Sequence, residues 1–266
     1  MTERVDLFDS TYRNFGDRTL DAVRKDTFGI DIGQNSWLTV DEYDRWLPQL
    51  SLREDDHVLE VASGSGGPAR HLARASRCRV TGIDANESGV VTANSLAAEA
   101  GDTERVSFRV VNATETLPFE DATFDGVVCI DSMNHFPNRL AVLREWRRVL
   151  RPGRRALFTD PVVVTGLVTN DELALRSSIG LFVFATAEVN DRLISEAGFR
   201  LVAREDATDN AARVASRWHE ARAAREADLV ALEGRERFEG LQRFFDAVRR
   251  LTSERRLSRL AYVVEA

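Results

Sequence analysis

VLEVASGSGGPARHLA, residues 58–73, reads as a buried strand that runs into a glycine turn and leaves it as a helix. Gly64 and Gly66 permit backbone conformations closed to residues with a Cβ and let a ligand approach the main chain. G-S-G-G-P-A also fits the G-x-G-x-x-A form of the dinucleotide fingerprint. The turn by itself therefore points to a nucleotide-like ligand without saying which.

Outward from this turn, apolar runs alternate with amphipathic segments as far as residue 160. The runs HVLEVA (57–62), RVTGID (79–84), RVSFRVVN (105–112), FDGVVCID (124–131) and RALFTD (155–160) read as strands. FDGVVCID is almost continuously apolar, as expected of a central parallel strand covered on both faces. Between the last two, Leu140, Leu143, Trp146 and Leu150 fall at helical spacing, and Pro152-Gly153 is expected to stop that helix. Repeated βα units predict an α/β fold with a parallel, doubly wound sheet and right-handed crossovers. Residues 1–50 read as helices around the irregular link TFGIDIGQNSW. The far end has a helix near 187–197, the strand FRLVARED, a helical stretch near 209–252 broken at Gly234, and the strand RLAYVVEA.

Composition excludes several classes. The 266 residues are 43% hydrophobic and 30% charged, ordinary for a globular chain. No apolar run approaches the ~20 residues needed to span a bilayer, and MTERVDLFDS is unlike a secretory signal. Two cysteines, far apart, form neither a disulfide framework nor a metal set, so a reducing cytoplasm is expected and no metal. A formal charge of −7 argues against a polyanion partner. Arg249, Arg250, Arg255 and Arg256 are expected to form a solvated face with acids nearby.

Spacing sharpens the reading of the turn. Asp84 ends the second strand, where a carboxylate accepts hydrogen bonds from two ribose hydroxyls; a dinucleotide enzyme would place an acid there too. Glu60 inside the first strand and Asn112 after the third are less usual in such an enzyme. So is a chain that ends in two strands joined by a helical excursion. VLEVASGSGGPARHLA, GIDAN, VVNATETLPFEDATFDGVVCIDSMNHFPN and LREWRRVLRPGRRALFTD, in this order over about 57–160, resemble the motifs of class I S-adenosylmethionine (SAM)-dependent methyltransferases. The helical insert with Trp218 is similar to that of the small-molecule group acting on glycine or sarcosine and on tocopherols. The resemblance implies a Rossmann-like sheet with an antiparallel C-terminal strand, a helical lid over 1–50, and a core over 51–266 with a cap insert at about 206–256. It also implies SAM as cofactor. Glu60 would fix the turn, and Ser63, Gly64 and Gly66 would lie against the methionine part. Asp84 would hold the ribose, Ala85 and Asn86 would flank the adenine, and Asn112 with Ala113 would read its edge. Ile130 and Asp131 would face the sulfonium and the acceptor. Asn112 stands where the family has Asp, and an amide oxygen still accepts from the adenine amino group.

Two residues are candidates for acid–base work. His135, just past the fourth strand, is either a general base or locally packed; Asp131 either orients a cationic acceptor or is structural. Tyr12, Trp37, Trp218 and His219 are candidates for contact with the acceptor, while Phe182, Phe184, Phe244 and Phe245 are expected in an apolar wall. The expected acceptor is a small molecule methylated at N, O or C, in a pocket between the N-terminal helices and the insert; a homo-oligomer stays open. Two rivals remain: an NAD(P)-dependent oxidoreductase sharing only the front half, and a non-catalytic SAM-binding partner.

Overall fold

A computed structural model describes residues 8–266. The first seven residues of the expected lid lie outside the described residues. Three helices open the described chain: α1 (Phe8–Arg13), α2 (Arg18–Phe28) and α3 (Val40–Trp46). Asp17 caps α2 by accepting from the amides of Thr19 and Leu20 at 2.8 and 3.2 Å, which satisfies two of its free N-terminal donors. The alternating units follow as β1 (His57–Val61), α4 (Gly67–Ser76), β2 (Arg79–Asp84), α5 (Glu87–Glu99), β3 (Val106–Val110), β4 (Phe124–Cys129), α6 (Arg139–Val149) and β5 (Leu150–Val164). The rest is α7 (Asn170–Arg176), α8 (Ala187–Glu196), β6 (Arg200–Asp206), α9 (Thr208–Ala223), α10 (Glu226–Glu233), α11 (Arg235–Ser253) and β7 (Leu257–Glu265).

The seven strands form one sheet in the order β3-β2-β1-β4-β5-β7-β6. Pairs from β3 to β5 are parallel, and β7 runs antiparallel to both β5 and β6. The order reverses beside β1, so the carboxyl ends of β1 and β4 flank the crevice where open α/β sheets bind ligands.

Alternation along the strands divides the core into two layers. Leu59, Phe124, Val127 and Phe158 point to the side covered by α6 and α8, where they meet Trp146 and Ile194. Their neighbours Val58, Val80, Val128 and Leu157 point to the side covered by α3, α4 and α5, where they meet Trp46, Leu72 and Ala93. Burial on both faces explains why these strands read as continuous apolar runs.

Three differences from the sequence reading have physical causes. Pro152-Gly153 does not form a loop after the helix: α6 stops at Val149 and the chain enters β5 directly. The proline and glycine sit in an irregularity where Phe124 pairs with Leu150 but Gly126 pairs with Arg155. Gly153, at φ 74°, donates its amide to the Ala266 carbonyl at 2.8 Å. The helical stretch after β6 is three helices, broken near Ala224-Arg225 as well as at Gly234. The third difference is α7, which the sequence reading does not contain; Thr169 opens it with a full capping box to Glu172.

Residues before β1 and the insert between β6 and β7 are not separate flaps. Val23, Phe28 and Trp37 share one apolar cluster with Val214, Trp218, Leu241, Phe244 and Phe245. The four arginines near the C-terminus all meet carboxylates: Arg249 with Asp246, Arg250 and Arg256 with Glu172, and Arg255 with Asp206 and Asp209. No helix of the described residues is long and apolar enough to cross a membrane.

Candidate functional site

A cavity of about 450 Å³ lies at the carboxyl ends of β1, β2 and β4, roofed by the shared helical cluster. Its floor begins at the glycine turn. Ser63 donates its amide to the Ile83 carbonyl at 3.0 Å, and Gly66 donates its own to the Ser63 carbonyl at 2.9 Å, which pins the turn against β2. Gly64 has φ 52°, and a Cβ there would lie 2.5 Å from the Tyr12 hydroxyl. Ala62 also adopts positive φ, at 58°, a strained conformation for a residue with a side chain.

Gly66 has a different role from the one expected. It does not line the cavity; its absent side chain makes room for the Phe108 ring, 2.4 Å from a Cβ built there. Its φ of 76° starts α4. Packing beneath the turn, rather than ligand approach, demands glycine here.

Three polar groups face the cavity around this turn. Glu60 is buried, and its Oε2 finds no partner among the described residues; burial pushes its carboxyl up to about 8, against the pull of the Ala69 amide. The Ser63 hydroxyl is likewise unpartnered. Asp84 accepts from the amides of Gly64 and Asn86, both at 2.8 Å, so its carboxylate is fixed at the end of β2 with lone pairs left for a ligand. Burial raises its pKa, and these amides oppose the shift.

The adenine-side candidates line the cavity but are partly engaged. Ala85, Asn86, Asn112, Ala113 and Ile130 all border it. Asn86 uses its Oδ1 to cap α5 through the Gly89 amide at 2.8 Å. Asn112 is exposed; its oxygen accepts from the Thr114 amide and hydroxyl, and its nitrogen donates to Glu115 at 2.9 Å. Reading an adenine edge with Asn112 would require that local turn to open.

Tyr12 sits above the glycine turn, against Gly64 and Gly89, and not with the acceptor-side aromatics. Trp37 and Trp218 do form that side. They meet edge to face at 6.2 Å, and Trp218 stacks on Phe245 at 5.2 Å. Phe182 and Phe244 join the wall, while Phe184 stacks behind Phe182. His219 lies off the cavity, and its carbonyl accepts from Gln242 at 3.2 Å. One turn of α9 carries Trp218 inward and therefore its successor away.

His135 borders the cavity beyond β4. Its Nδ1 donates to the Leu181 carbonyl at 2.8 Å, and a carbonyl can only accept, so the ring's lone pair is on Nε2, where it accepts from the Asn134 side-chain amide. Nε2 lies 3.3 Å from the Asn134 amide nitrogen. Burial lowers the pKa of this ring, with the nearby Arg176 charge adding to the shift. The arrangement presents a neutral imidazole with a fixed tautomer, which suits a proton acceptor. The other histidines of the sheet and its helices are used locally: His57 meets Thr81 at 2.9 Å and His71 meets Asp44 at 2.6 Å.

Asp131 borders the cavity too, but the structure does not leave it free to orient a cationic acceptor. Its Oδ2 accepts from the Trp37 amide at 2.8 Å; its Oδ1 accepts from Thr159 and from Arg259 Nε, both at 2.7 Å. Arg259, fully buried, also donates to Glu42 at 2.5 Å, and Asn210 on α9 donates to Glu42 and to the Trp37 carbonyl at 3.0 Å. Burial raises the Glu42 pKa, and the Arg259 charge opposes it. The carboxylate is thus neutralised by Arg259 and serves as a strap between the sheet, the N-terminal segment and the insert. At the other end, Ser65 donates to the Gly33 carbonyl at 2.8 Å. The link TFGIDIGQNSW is tied at its middle, through Gly33, and at its far end, through Trp37, across the mouth of the sheet.

Arg176, Asn134 and Arg259 were not singled out in the sequence. Arg259 meets Asp131 across 128 positions, so no local pattern connects them. Arg176 had one visible sign, a lone cation between LAL and the apolar run IGLFVF. Among the described residues no cluster of His, Cys, Asp and Glu could hold a metal.

The chain's likeness to known proteins follows the same geography. Residues 59–158, from β1 into β5, match the methyltransferase domain family. A 27-O-demethylrifamycin SV methyltransferase of Amycolatopsis mediterranei is 36% identical over 166 residues, which cover 61% of this chain and 61% of that protein. A sarcosine/dimethylglycine N-methyltransferase of Halorhodospira halochloris is 32% identical over 178 residues, 66% of this chain and 61% of its own length. The chain thus matches about three fifths of each of these relatives. Among solved structures, the Haemonchus contortus phosphoethanolamine N-methyltransferase 2 in complex with S-adenosyl-L-methionine superposes with a TM-score of 0.80 at 19% identity, covering 96% of this chain and 59% of that one. Residues 59–158 are thus similar to the methyltransferase domain family, and the chain built around them has the class I methyltransferase fold.

Proposed function

We propose that this protein transfers a methyl group from S-adenosylmethionine to a small-molecule acceptor at an N, O or C atom. The observation that carries the reading is the set of unpartnered or fixed polar groups around the glycine turn. Glu60 Oε2 and Ser63 Oγ are buried polar atoms without partners, a costly state that a ligand's ammonium and carboxylate would relieve. Asp84 is held where a ribose diol would meet it. Gly64 keeps open a space that a Cβ would contest with Tyr12. These residues fit the two polar ends of SAM.

When bound, SAM supplies an electrophilic methyl group on a sulfonium, open to in-line displacement. The chain's contribution is to position and to exclude water. Tyr12 and the tied link cover the turn, and Trp37, Trp218 and Phe244 wall the acceptor. Nε2 of His135 takes the proton that a hydroxyl or ammonium acceptor must lose. Asp131 acts through Trp37, by holding its backbone over the site.

Residues 8–50 and the insert over about 206–256 form one cap on the rest of the core over 51–266, a reading supported by their common apolar cluster. We place the protein in the cytoplasm, in keeping with two buried free thiols, Cys78 and Cys129. Titration with SAM and, separately, with NAD(P) tests the cofactor; a heat signal only with NAD(P) would return the oxidoreductase rival. Mass spectrometry of a metabolite library incubated with protein and SAM should show a 14-dalton gain. A protein that binds SAM and methylates nothing would be the non-catalytic rival.

A further inference from the structure

Arg176 is the last residue of α7, only 2% exposed, and it borders the cavity. Among the described residues it makes no ion pair and no hydrogen bond, and its buried Nη1 has no partner. The guanidinium is held only by aromatic faces: 4.8 Å from the Phe182 centroid, 5.1 Å from Phe244 and 5.8 Å from Trp37. The two carboxylates whose charge reaches it are already engaged. Asp131 is held by Arg259, Thr159 and Trp37, and Asp160 by Arg139 at 2.6 Å and Asn190 at 2.9 Å. Burial pulls the Arg176 guanidinium down to about 9. A buried cation without a partner is destabilising unless something supplies one.

We propose that Arg176 receives a delocalised oxyanion on the methyl acceptor, and that the acceptor is a monoanionic, ring-bearing apolar molecule. The proposal rests on the methyl-transfer reading and names its substrate class. A guanidinium pairs with a carboxylate through two parallel donors, and its charge also suits the single oxygen of an acidic phenol or enol. Phe182, Phe244 and Trp37 leave flat apolar surface beside it, which fits a ring. A phosphate monoester fits poorly, because the neighbouring His135 is neutral and the wall offers the second charge no cation. His135 and Arg176 share one wall, so the oxyanion anchors the acceptor next to the proton acceptor.

The test uses full-length protein saturated with S-adenosylhomocysteine and two matched pairs of probes. 2-Naphthoate and 2-naphthamide differ only in the anionic group; 4-nitrophenolate and 4-nitroanisole, at alkaline pH, do the same for a phenol. In calorimetry, the anion of at least one pair should bind about ten-fold tighter than its neutral partner, as expected for a charge-assisted hydrogen bond in a buried site. The pair that shows the preference distinguishes carboxylate from phenolate. Arg176→Met should abolish the preference, leave S-adenosylhomocysteine affinity unchanged, and raise the melting temperature, which loss of a purely structural arginine would lower. Arg176→Gln carries the same comparison should the methionine variant not fold. Equal affinity within both pairs, or a preference that survives in Arg176→Met, overturns the proposal. Failure of the native protein to bind S-adenosylhomocysteine would overturn the methyl-transfer reading instead.

Discussion

At the glycine-turn end of the cavity, a ligand meets main chain and the carboxylates of Glu60 and Asp84, all supplied by β1, β2 and the turn between them. At the opposite end it meets Trp37, Arg176, Trp218 and Phe244, side chains from four separate parts of the chain. The first end works through backbone geometry, so few substitutions there are tolerated. The second works through side-chain shape and one charge, which change without disturbing the sheet. Such a division lets one fold keep its methyl donor while acceptors diverge.

The comparison breaks most visibly at Asp131, which joins the two ends. Asp131→Ala leaves Arg259 with Glu42 alone in a buried setting, and should cost about 3–5 kcal/mol of stability, read from urea unfolding. It should also free Trp37. A stable variant with normal turnover would mean that the strap holds nothing.

The turn itself separates into a packing half and a ligand half. Gly66→Val puts a branched side chain at φ 76° against Phe108; overpacking costs about 1–3 kcal/mol and backbone strain a similar amount. Thermal unfolding should show a strongly destabilised protein. Gly64→Ala carries the backbone strain of φ 52° but meets only the Tyr12 side chain, and should fold while losing SAM affinity in calorimetry. Equal melting temperatures for the two variants would remove the distinction.

Asp84→Ala should weaken SAM binding by about 1.5–3 kcal/mol for each charge-assisted hydrogen bond lost. Trp218→Ala, by contrast, should raise the acceptor KM and leave SAM affinity unchanged. Titrations showing the reverse pattern would exchange the two ends of the cavity.

The smallest effect is one of pH. Glu60 is held near 8 in the folded protein, above its ordinary 4.5. Between these values the folded state keeps a proton that the unfolded state has released, so stability falls as pH rises, and flattens above about 8. The slope is at most about 1.4 kcal/mol per pH unit. Glu60→Gln should flatten it, as read from urea midpoints at neutral and mildly alkaline pH. An unchanged slope in that variant would assign the titration to another group.

Legibility in the sequence followed the same divide. RVTGID matched β2 residue for residue, and the other strands were found with ends displaced by up to five residues; in β1, β2 and β4 burial on both faces leaves continuous apolar runs. The Gly64 turn and Asp84 were legible because local backbone chemistry demands them. Gly66 was found for the wrong reason, since its constraint comes from Phe108, a residue of β3. Asp131 was read as facing a substrate because its counter-ion, Arg259, is a distant strand residue. His219 was drawn in by its neighbour Trp218, and only the helical phase of α9 separates them. α7 escaped because its short capped turn has too few residues for a period to show, and Arg176 escaped with it.

The link, tied to Ser65 at its middle and to Asp131 at its far end, touches both halves of the cavity. Any coupling that it carries between two ligands is reciprocal: by whatever factor a donor would tighten the grip on an acceptor, the acceptor would tighten the grip on the donor. On the methyl-transfer reading, the acceptor would sit beneath Trp37, whose amide Asp131 holds, and the donor under Tyr12, beside Ser65, so each binding event would bear on one of the link's two ties.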